Sequence, residues 1–145
     1  MCFLPRYFLS LRQPWAWLVI HGDKIIENRS WRTSFRGRIG IHAAKGCTRD
    51  EYDACQIFVR GFNPQVADCI PAFSALQRGG IVGACSIADC VTSDPSPWFC
   101  GPYGFIIHRA TAVDFVACRG ALGFFRLESI NGVLSPLWGR KWRVS

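Results

Sequence analysis

The sequence predicts an α+β fold, a small β-barrel of about six strands with two or three helices packed beside it. The chain has 145 residues, half of them hydrophobic and 19% charged, which is typical of one packed globular domain. Several short segments rich in β-branched and aromatic residues have the pattern of strands, and helical patterns interrupt the series. This combination favours a closed or nearly closed barrel with helices at its side.

The first elements are predicted from periodicity and from Pro and Gly. Residues 3–11 alternate loosely, as in a strand. Pro14 suits the first position of a helix, because its missing N–H has no helical partner there. The helix would run from Trp15 to His21 and end at Gly22, a candidate for the left-handed cap. Its apolar composition requires burial, so Trp17 is either a core residue or a stacking platform at the mouth of a site.

From Lys24 the period changes to two, which indicates strands. One face of the first extended segment carries Ile25, Glu27, Arg29 and Trp31. A second strand would begin at Gly37, with Ile39, Ile41 and Ala43 on one face and Arg38, Gly40 and His42 on the other. Lys45 follows at its exit.

The remaining elements follow in order. Thr48 and Glu51 have the spacing of a capping box, which predicts a helix that Gly61 ends. A second helix is expected over residues 65–77, interrupted at Pro71. A buried strand over residues 79–91 and a loop over residues 93–104 come next. The last three strand candidates are residues 105–109, 112–118 and 122–127.

The charge pattern favours an anionic partner. The net charge is +7, with nine basic and three acidic residues in positions 1–50 and six basic and two acidic in positions 101–145. If the two ends meet in space, they form one positive face. The tail WGRKWR, with Arg140 and Lys141, interleaves cations and aromatic residues in the way that single-stranded nucleic acids favour. The alternative is a set of scattered, solvated arginines.

The eight cysteines do not form a metal or disulfide pattern. No CxxC pair occurs, and the three histidines do not stand at finger-like distances from the cysteines. The thiols are therefore expected to be reduced and mostly buried, as in a cytoplasmic protein. No secretory signal and no membrane span are recognised. The composition leaves open a monomer or a weak dimer.

Four segments together resemble the ASCH domain, a member of the PUA-like β-barrel superfamily. They are QPWAWLVIHGDKIIENRSW, RGRIGIHAAK, GGIVGACSIADC and GPYGFIIHRATAVDFVACRGALGFFRL, which cover about residues 9–127 of a single domain. The most specific part is G-x-K-x-x-E-x-R, at Gly22, Lys24, Glu27 and Arg29. The resemblance implies a barrel with a positively charged cleft that binds RNA or another nucleic acid and is lined by this motif.

The chemistry of the family varies. Some members resemble plain nucleic-acid-binding modules, some resemble metal-dependent ribonucleases, and one branch hydrolyses the amide of N4-acetylcytidine with a Thr nucleophile. Glu27 stands where that branch has its Thr and cannot serve as the same nucleophile. A ribonuclease would imply a divalent cation, Mn²⁺ or Mg²⁺, whereas a small-ligand module would use the same pocket without cleavage.

On their own chemistry, the clustered charges support binding and leave catalysis open. A carboxylate among cations is a poor general acid but can orient Arg29 or Lys24, or accept a base amine. A crowded lysine is a candidate general base, and RNA can supply its own 2′-OH as nucleophile. The candidate catalytic residues are Lys24, Glu27 and Lys45. The candidate nucleic-acid-binding residues are Trp17, Lys24, Arg29, Arg32, Arg36, Lys45, Arg140 and Lys141.

Overall fold

A curled six-stranded sheet forms the body of the protein, whose computed structural model describes residues 5–130 and 132–137. The spatial order is β2-β5-β4-β3-β1-β6, and every pair of neighbours is antiparallel except β1 with β3. Its strands are β1 (Tyr7–Leu11), β2 (Ile26–Arg29), β3 (Gly37–Ala43), β4 (Gly80–Val91), β5 (Tyr103–Ala117) and β6 (Phe124–Phe125). A separate hairpin pairs β7 (Leu127–Ile130) with β8 (Val133–Pro136).

Aromatic packing shows how far the sheet curls. Three strands lie between β5 and β6, so Phe105 and Phe124 would stand roughly 19 Å apart in a flat sheet at 4.8 Å per strand. Their ring centroids are instead 6.2 Å apart and nearly parallel. Trp31 packs edge-on against both rings, at 5.2 and 5.4 Å. The predicted barrel is therefore a mixed half-barrel that side chains close across its open side.

Three helices lie beside the half-barrel: α1 (Trp15–His21), α2 (Arg49–Arg60) and α3 (Pro64–Cys69). The α1 helix packs against β3, β4 and β5, as its apolar composition predicts. Thr48 caps α2 through the predicted capping box with Glu51. None of the helices in residues 5–130 and 132–137 has the length and apolar run that a membrane span requires.

The end of α1 differs from the prediction. Gly22 has a φ of −111°, so it does not form a left-handed cap, and the left-handed residue is Asp23, with a φ of 55°. Asp tolerates this conformation because its short polar side chain can hydrogen-bond locally. Gly22 is needed for another reason, since a Cβ there would lie 2.8 Å from a Leu18 methyl group. Pro14 stands just before the helix and not at its first position.

Two other predicted boundaries were wrong. The segments 105–109 and 112–118 form one strand, β5, because Arg109 adopts a φ of 54° and two residues there oppose one residue of β4. The chain therefore bulges at the position where a break between two strands was expected, and the pairing of β5 with β4 continues on both sides of it. The helix expected over residues 65–77 ends at Cys69, because Ile70 precedes Pro71 and takes an extended conformation. A single 3₁₀ turn, Phe73–Ala75, follows.

The C-terminal region also departs from the prediction. Only Phe124 and Phe125 of the segment expected over residues 122–127 pair with the sheet. The hairpin of β7 and β8 was not predicted. The basic tail, with Arg140 and Lys141, lies outside the described residues.

Candidate functional site

A pocket with a volume of about 960 Å³ lies at one edge of the sheet. We call it the basic groove. Its charged lining is wholly cationic within the described residues: it contains no Asp or Glu. The basic side chains that line it are Arg12, Arg29, Lys45, Arg78 and Arg119.

Strand topology explains why four of these cations meet. One row of paired residues crosses four neighbouring strands, namely Leu11 of β1, Ala43 of β3, Gly80 of β4 and Ala117 of β5. Each strand carries a cation within two positions of that row. Strands β1, β3 and β5 run in one direction and β4 runs in the opposite direction. The ends of β1, β3 and β5 therefore lie beside the start of β4, and all four cations lie at the same sheet edge. At 4.8 Å between strands, the row spans roughly 14 Å. The cations are Arg12, Lys45, Arg78 and Arg119.

Some of these cations already have partners. Arg12 forms an ion pair with Glu51 at 2.7 Å, and this bond lowers the pKa of the Glu51 carboxyl from its ordinary value. Arg78 donates to the carbonyl oxygen of Phe73 at 2.8 Å and lies 4.4 Å from its ring centroid. These contacts fix the direction of both guanidinium groups and leave further N–H donors.

Lys45 and Arg119 are different, because both are exposed and make no hydrogen bond or ion pair within residues 5–130 and 132–137. Lys45 follows β3 and Arg119 follows β5, so the two cations lie on either side of β4 at this edge of the sheet. Two unpaired cations beside two oriented arginines give this part of the groove a positive potential, which attracts anions.

The predicted motif forms a compact buried cluster. Lys24 is 3% exposed and Glu27 is 8% exposed. The Nζ of Lys24 donates to the carbonyl oxygen of Ile26 and lies 3.3 Å from one carboxylate oxygen of Glu27. The other carboxylate oxygen accepts from Arg29, also at 3.3 Å, and Arg29 donates to the carbonyl oxygen of Ser10 at 2.9 Å. Both carboxylate oxygens of Glu27 thus contact a cation inside the half-barrel.

A smaller pocket of about 390 Å³ adjoins this cluster. Trp15, Phe58 and Trp98 supply its aromatic walls, and Lys24 and Glu27 line it as well. The Nζ of Lys24 lies 5.7 Å from the ring centroid of Trp15. We call this smaller pocket the aromatic pocket.

Asn28 fixes one wall of the aromatic pocket. Its side-chain amide donates to the carbonyl oxygen of Trp98 at 2.9 Å and accepts from the N–H groups of Cys100 and Gly101 at 2.8 and 3.1 Å. The loop that carries Trp98 is therefore pinned to β2, and the pocket is preformed.

The structure divides the predicted catalytic residues between two places. Lys24 and Glu27 line the aromatic pocket, while Lys45 lines the basic groove. No hydrogen bond or ion pair joins Lys45 to either of them in the described chain. Arg29 connects the two places, because it lines the basic groove and pairs with Glu27.

The other predicted binding residues lie elsewhere. Trp17 lines a separate pocket, with its ring 5.5 Å from that of His21. Arg32 and Arg36 precede β3, whereas Lys45 follows it, so they stand at opposite ends of a strand roughly 20 Å long. Arg36 pairs with Asp89 at 3.4 Å, while Arg32 is exposed.

Sequence reasoning missed Arg12, Arg78 and Arg119 as groove residues. Each stands next to a strand end, which is a visible signal in the sequence. The signal becomes useful only with the strand order, because a strand end alone does not say which edge it occupies.

The residues present do not fit a resident Mn²⁺ or Mg²⁺. Such ions require several oxygen ligands. Among the described residues that line the basic groove and the aromatic pocket, the one carboxylate is that of Glu27. Both of its oxygens are bound by cations. No three His, Cys, Asp or Glu side chains in the described part of the chain come together as a metal site.

Comparison with known proteins places the chain in a family. A model of the ASCH domain matches residues 9–104, which include the Lys24–Glu27 pair and every groove cation except Arg119. Activating signal cointegrator 1 of Homo sapiens is 34% identical over 88 residues, and its Mus musculus counterpart is 32% identical over 89 residues. Each alignment covers 58% of this chain and 14% of the relative, so the chain corresponds to a small part of those proteins. Because the family model matches well over half of the chain, the protein belongs to the ASCH domain family.

Proposed function

We propose that the protein binds single-stranded RNA in the basic groove. The observation that carries this proposal is the row of four cations at one sheet edge, with no carboxylate among the described residues that line the groove. Arg and Lys that contact phosphates release counterions, which is the main source of sequence-independent affinity for nucleic acids. Membership in the ASCH family supports the same ligand, because this PUA-like barrel is generally associated with RNA binding.

The aromatic pocket favours single-stranded RNA over double-stranded RNA as the ligand. Its volume of about 390 Å³ lies in the range of small-ligand sites, and its walls are Trp15, Phe58 and Trp98. A base enters such a pocket only when it is unstacked from its neighbours, as in single-stranded RNA. Arg29 lies between the two pockets, so a strand held in the basic groove can direct one base inward.

Fluorescence anisotropy with a labelled single-stranded RNA tests the proposal. Lys45→Ala and Arg119→Ala each remove an unpaired groove cation, and each should weaken binding severalfold. Arg32→Ala is the matched control, because Arg32 is also exposed but stands at the far end of β3. Its affinity should stay within about twofold of the wild type, as expected for a charge more than a Debye length away. Equal losses in all three variants would show that the groove is not the site.

A second candidate is cleavage of the bound RNA at the Lys24–Glu27 pair. It is favoured by the contact of this buried pair with the aromatic pocket, where the sugar next to an inserted base would come close to Lys24. In this candidate function the RNA 2′-OH attacks the phosphorus, the Lys24 ammonium stabilises the negative charge that develops on the phosphate, and Glu27 keeps Lys24 in place. Lys45 acts only by holding phosphate, because it lines the other pocket.

The cleavage candidate is tested with labelled RNA in the presence of Mn²⁺, Mg²⁺ or chelator. Lys24→Ala should abolish cleavage, while Lys45→Ala should raise the RNA concentration required and leave the rate at saturation unchanged. Circular dichroism establishes that the Lys24 variant is folded. Full-rate cleavage by Lys24→Ala would eliminate this candidate and leave the binding proposal intact.

A further inference from the structure

A serine and a histidine form a hydrogen-bonded pair in the wall of the basic groove. The Oγ atom of Ser10 lies 2.9 Å from Nδ1 of His42, and Nε2 of His42 lies 2.8 Å from the carbonyl oxygen of Cys118. A carbonyl oxygen only accepts hydrogen bonds, so Nε2 carries the proton. Nδ1 of the neutral ring is then an acceptor, and the Ser10 hydroxyl donates to it. This is the arrangement of a hydroxyl beside a general base whose tautomer is fixed by a third group.

The surroundings of His42 keep it neutral. Burial lowers the pKa of His42 from its ordinary value, against the smaller opposing effect of the bond to Cys118. The Arg29 guanidinium binds the main-chain oxygen of Ser10, and burial raises the pKa of the thiol of Cys118, whose carbonyl oxygen binds His42. The other charged residues that line the groove with the pair are Arg12, Lys45, Arg78 and Arg119. The edge of Phe125 packs against the imidazole ring at 6.0 Å.

The pair is positioned so that its hydroxyl faces the groove. Ser10 and His42 both line the basic groove, but Ser10 is partly exposed while His42 is 2% exposed. The backbone at Gly120 lies against both side chains. A Cβ at Gly120 would stand 2.7 Å from the imidazole ring and 3.0 Å from the Ser10 Oγ. Glycine at this position therefore preserves the geometry of the pair.

We propose that Ser10 is the nucleophile of a hydrolytic site, with His42 as its general base. The substrate class is a carboxylic ester on the ribose of a nucleotide or RNA. The Ser10 oxygen attacks the ester carbon as its proton passes to Nδ1 of His42, and the alcohol leaves with that proton, which gives an acyl-Ser10. A water molecule then attacks the acyl group, its proton again passes to His42, and the acid and free Ser10 are regenerated.

Arg29 is the cation that binds the main chain of Ser10. It donates to the main-chain oxygen of Ser10 and to Glu27, and the guanidinium retains other N–H groups that can stabilise the oxyanion. Lys45 and Arg119 would hold the phosphates of the substrate. The choice of a nucleotide ester rests on the proposed RNA binding, whereas the reactivity of Ser10 does not.

A fluorophosphonate probe tests Ser10 directly, because an activated serine displaces its fluoride and forms a stable phosphonate ester. Mass spectrometry of the labelled native protein should find the adduct at Ser10. Ser86 is the matched control, since it is a partly exposed strand serine for which Arg38 is the one hydrogen-bond partner in the described chain. Labelling should be lost in Ser10→Ala and unchanged in Ser86→Ala.

Two further variants separate chemistry from folding. His42→Gln should lower the rate of p-nitrophenyl acetate hydrolysis by about a hundredfold, the usual contribution of a general base. Gly120→Ala keeps both reacting groups but displaces the ring, so it should also reduce labelling. Thermal melts identify any variant that has simply unfolded, and the wild-type adduct remains decisive in that case.

The outcomes distinguish this inference from the proposed function. Labelling of Ser10 in the native protein, together with RNA binding that a Lys45→Ala, Arg119→Ala double variant loses, supports both. Labelling of Ser10 without any RNA binding supports the nucleophile and overturns the nucleotide ester. Labelling of native protein at Ser10 no faster than at Ser86, or no faster than in denatured protein, overturns the nucleophile itself.

Discussion

The carboxylate of Glu27 lies 3.3 Å from the Nζ of Lys24, and both side chains are almost excluded from solvent. Each charge compensates the other, and the other residues that line the interior pocket beside Glu27 are apolar. The contact connects Lys24, which lies just before β2, to Glu27 within that strand. The motif therefore has a structural role that stands independently of any catalytic role.

The buried pair makes a stability prediction. Glu27→Gln removes one charge and leaves Lys24 uncompensated, so it should lower the free energy of unfolding by about 3 kcal/mol, at the lower end for a broken buried pair. Asp68→Asn is the control, because it breaks the exposed pair with Arg60, which is shorter at 2.9 Å. Solvent screens that pair, so its loss should cost less than about 1 kcal/mol. Urea unfolding at pH 7 measures the free energy of unfolding of both variants. Equal losses in the two variants would contradict the burial of the Lys24–Glu27 pair.

Gly40 should be intolerant of a side chain. A Cβ at Gly40 would lie 2.3 Å from the ring of Phe8, which packs over β3 from the neighbouring strand. Gly40→Ala should therefore cost about 1 to 3 kcal/mol, the usual range for overpacking. At Gly46 the nearest atoms belong to the flexible end of Arg12, at 3.2 Å. Gly46→Ala should leave the urea midpoint nearly unchanged, and a larger loss there than at Gly40 would contradict the packing.

His42 should make stability depend on pH. Its pKa in the folded protein is below the ordinary value of 6.5, so the unfolded chain binds the proton more readily. The stabilisation that the neutral ring contributes is present above pH 6.5 and is lost as the pH falls through the folded-state pKa. The Cys118 thiol stays protonated in this window, because burial raises its pKa.

Urea unfolding between pH 7.5 and 5 measures this dependence. The wild type should lose stability faster than His42→Gln as the pH falls, so the difference between them should shrink. A difference that grows on acidification would mean that the folded protein favours the charged imidazole.

Local patterns in the sequence were sufficient for much of the fold. The α1 helix, β3 and the capped α2 helix lie where the periodicity predicted them, because each is specified by residues close together in the chain. The same holds for the contact of Glu27 with Arg29, which share one face of a strand. The continuous β5 strand was not foreseen, because a bulge at Arg109 depends on pairing with β4.

The basic groove required the tertiary structure. Arg12 and Arg119 are far apart in the chain and meet only because β1 is parallel to β3 and β5 runs back along β4. Likewise, Ser10 and His42 are 32 residues apart, and no spacing rule connects them. Local sequence patterns do not encode the strand order, and the strand order brings together both the groove cations and the Ser10–His42 pair.

The salt dependence of RNA affinity tests the central claim most directly. For a single strand, each phosphate contact contributes about −0.7 to the slope of log K against log salt concentration. The wild type should give a slope near −3 if the four cations of the row each contact one phosphate. The double variant Lys45→Ala, Arg119→Ala should be shallower by about 1.4, while Arg32→Ala keeps the wild-type slope. A wild-type slope near zero, or a double variant with the wild-type slope, would contradict RNA binding in the basic groove.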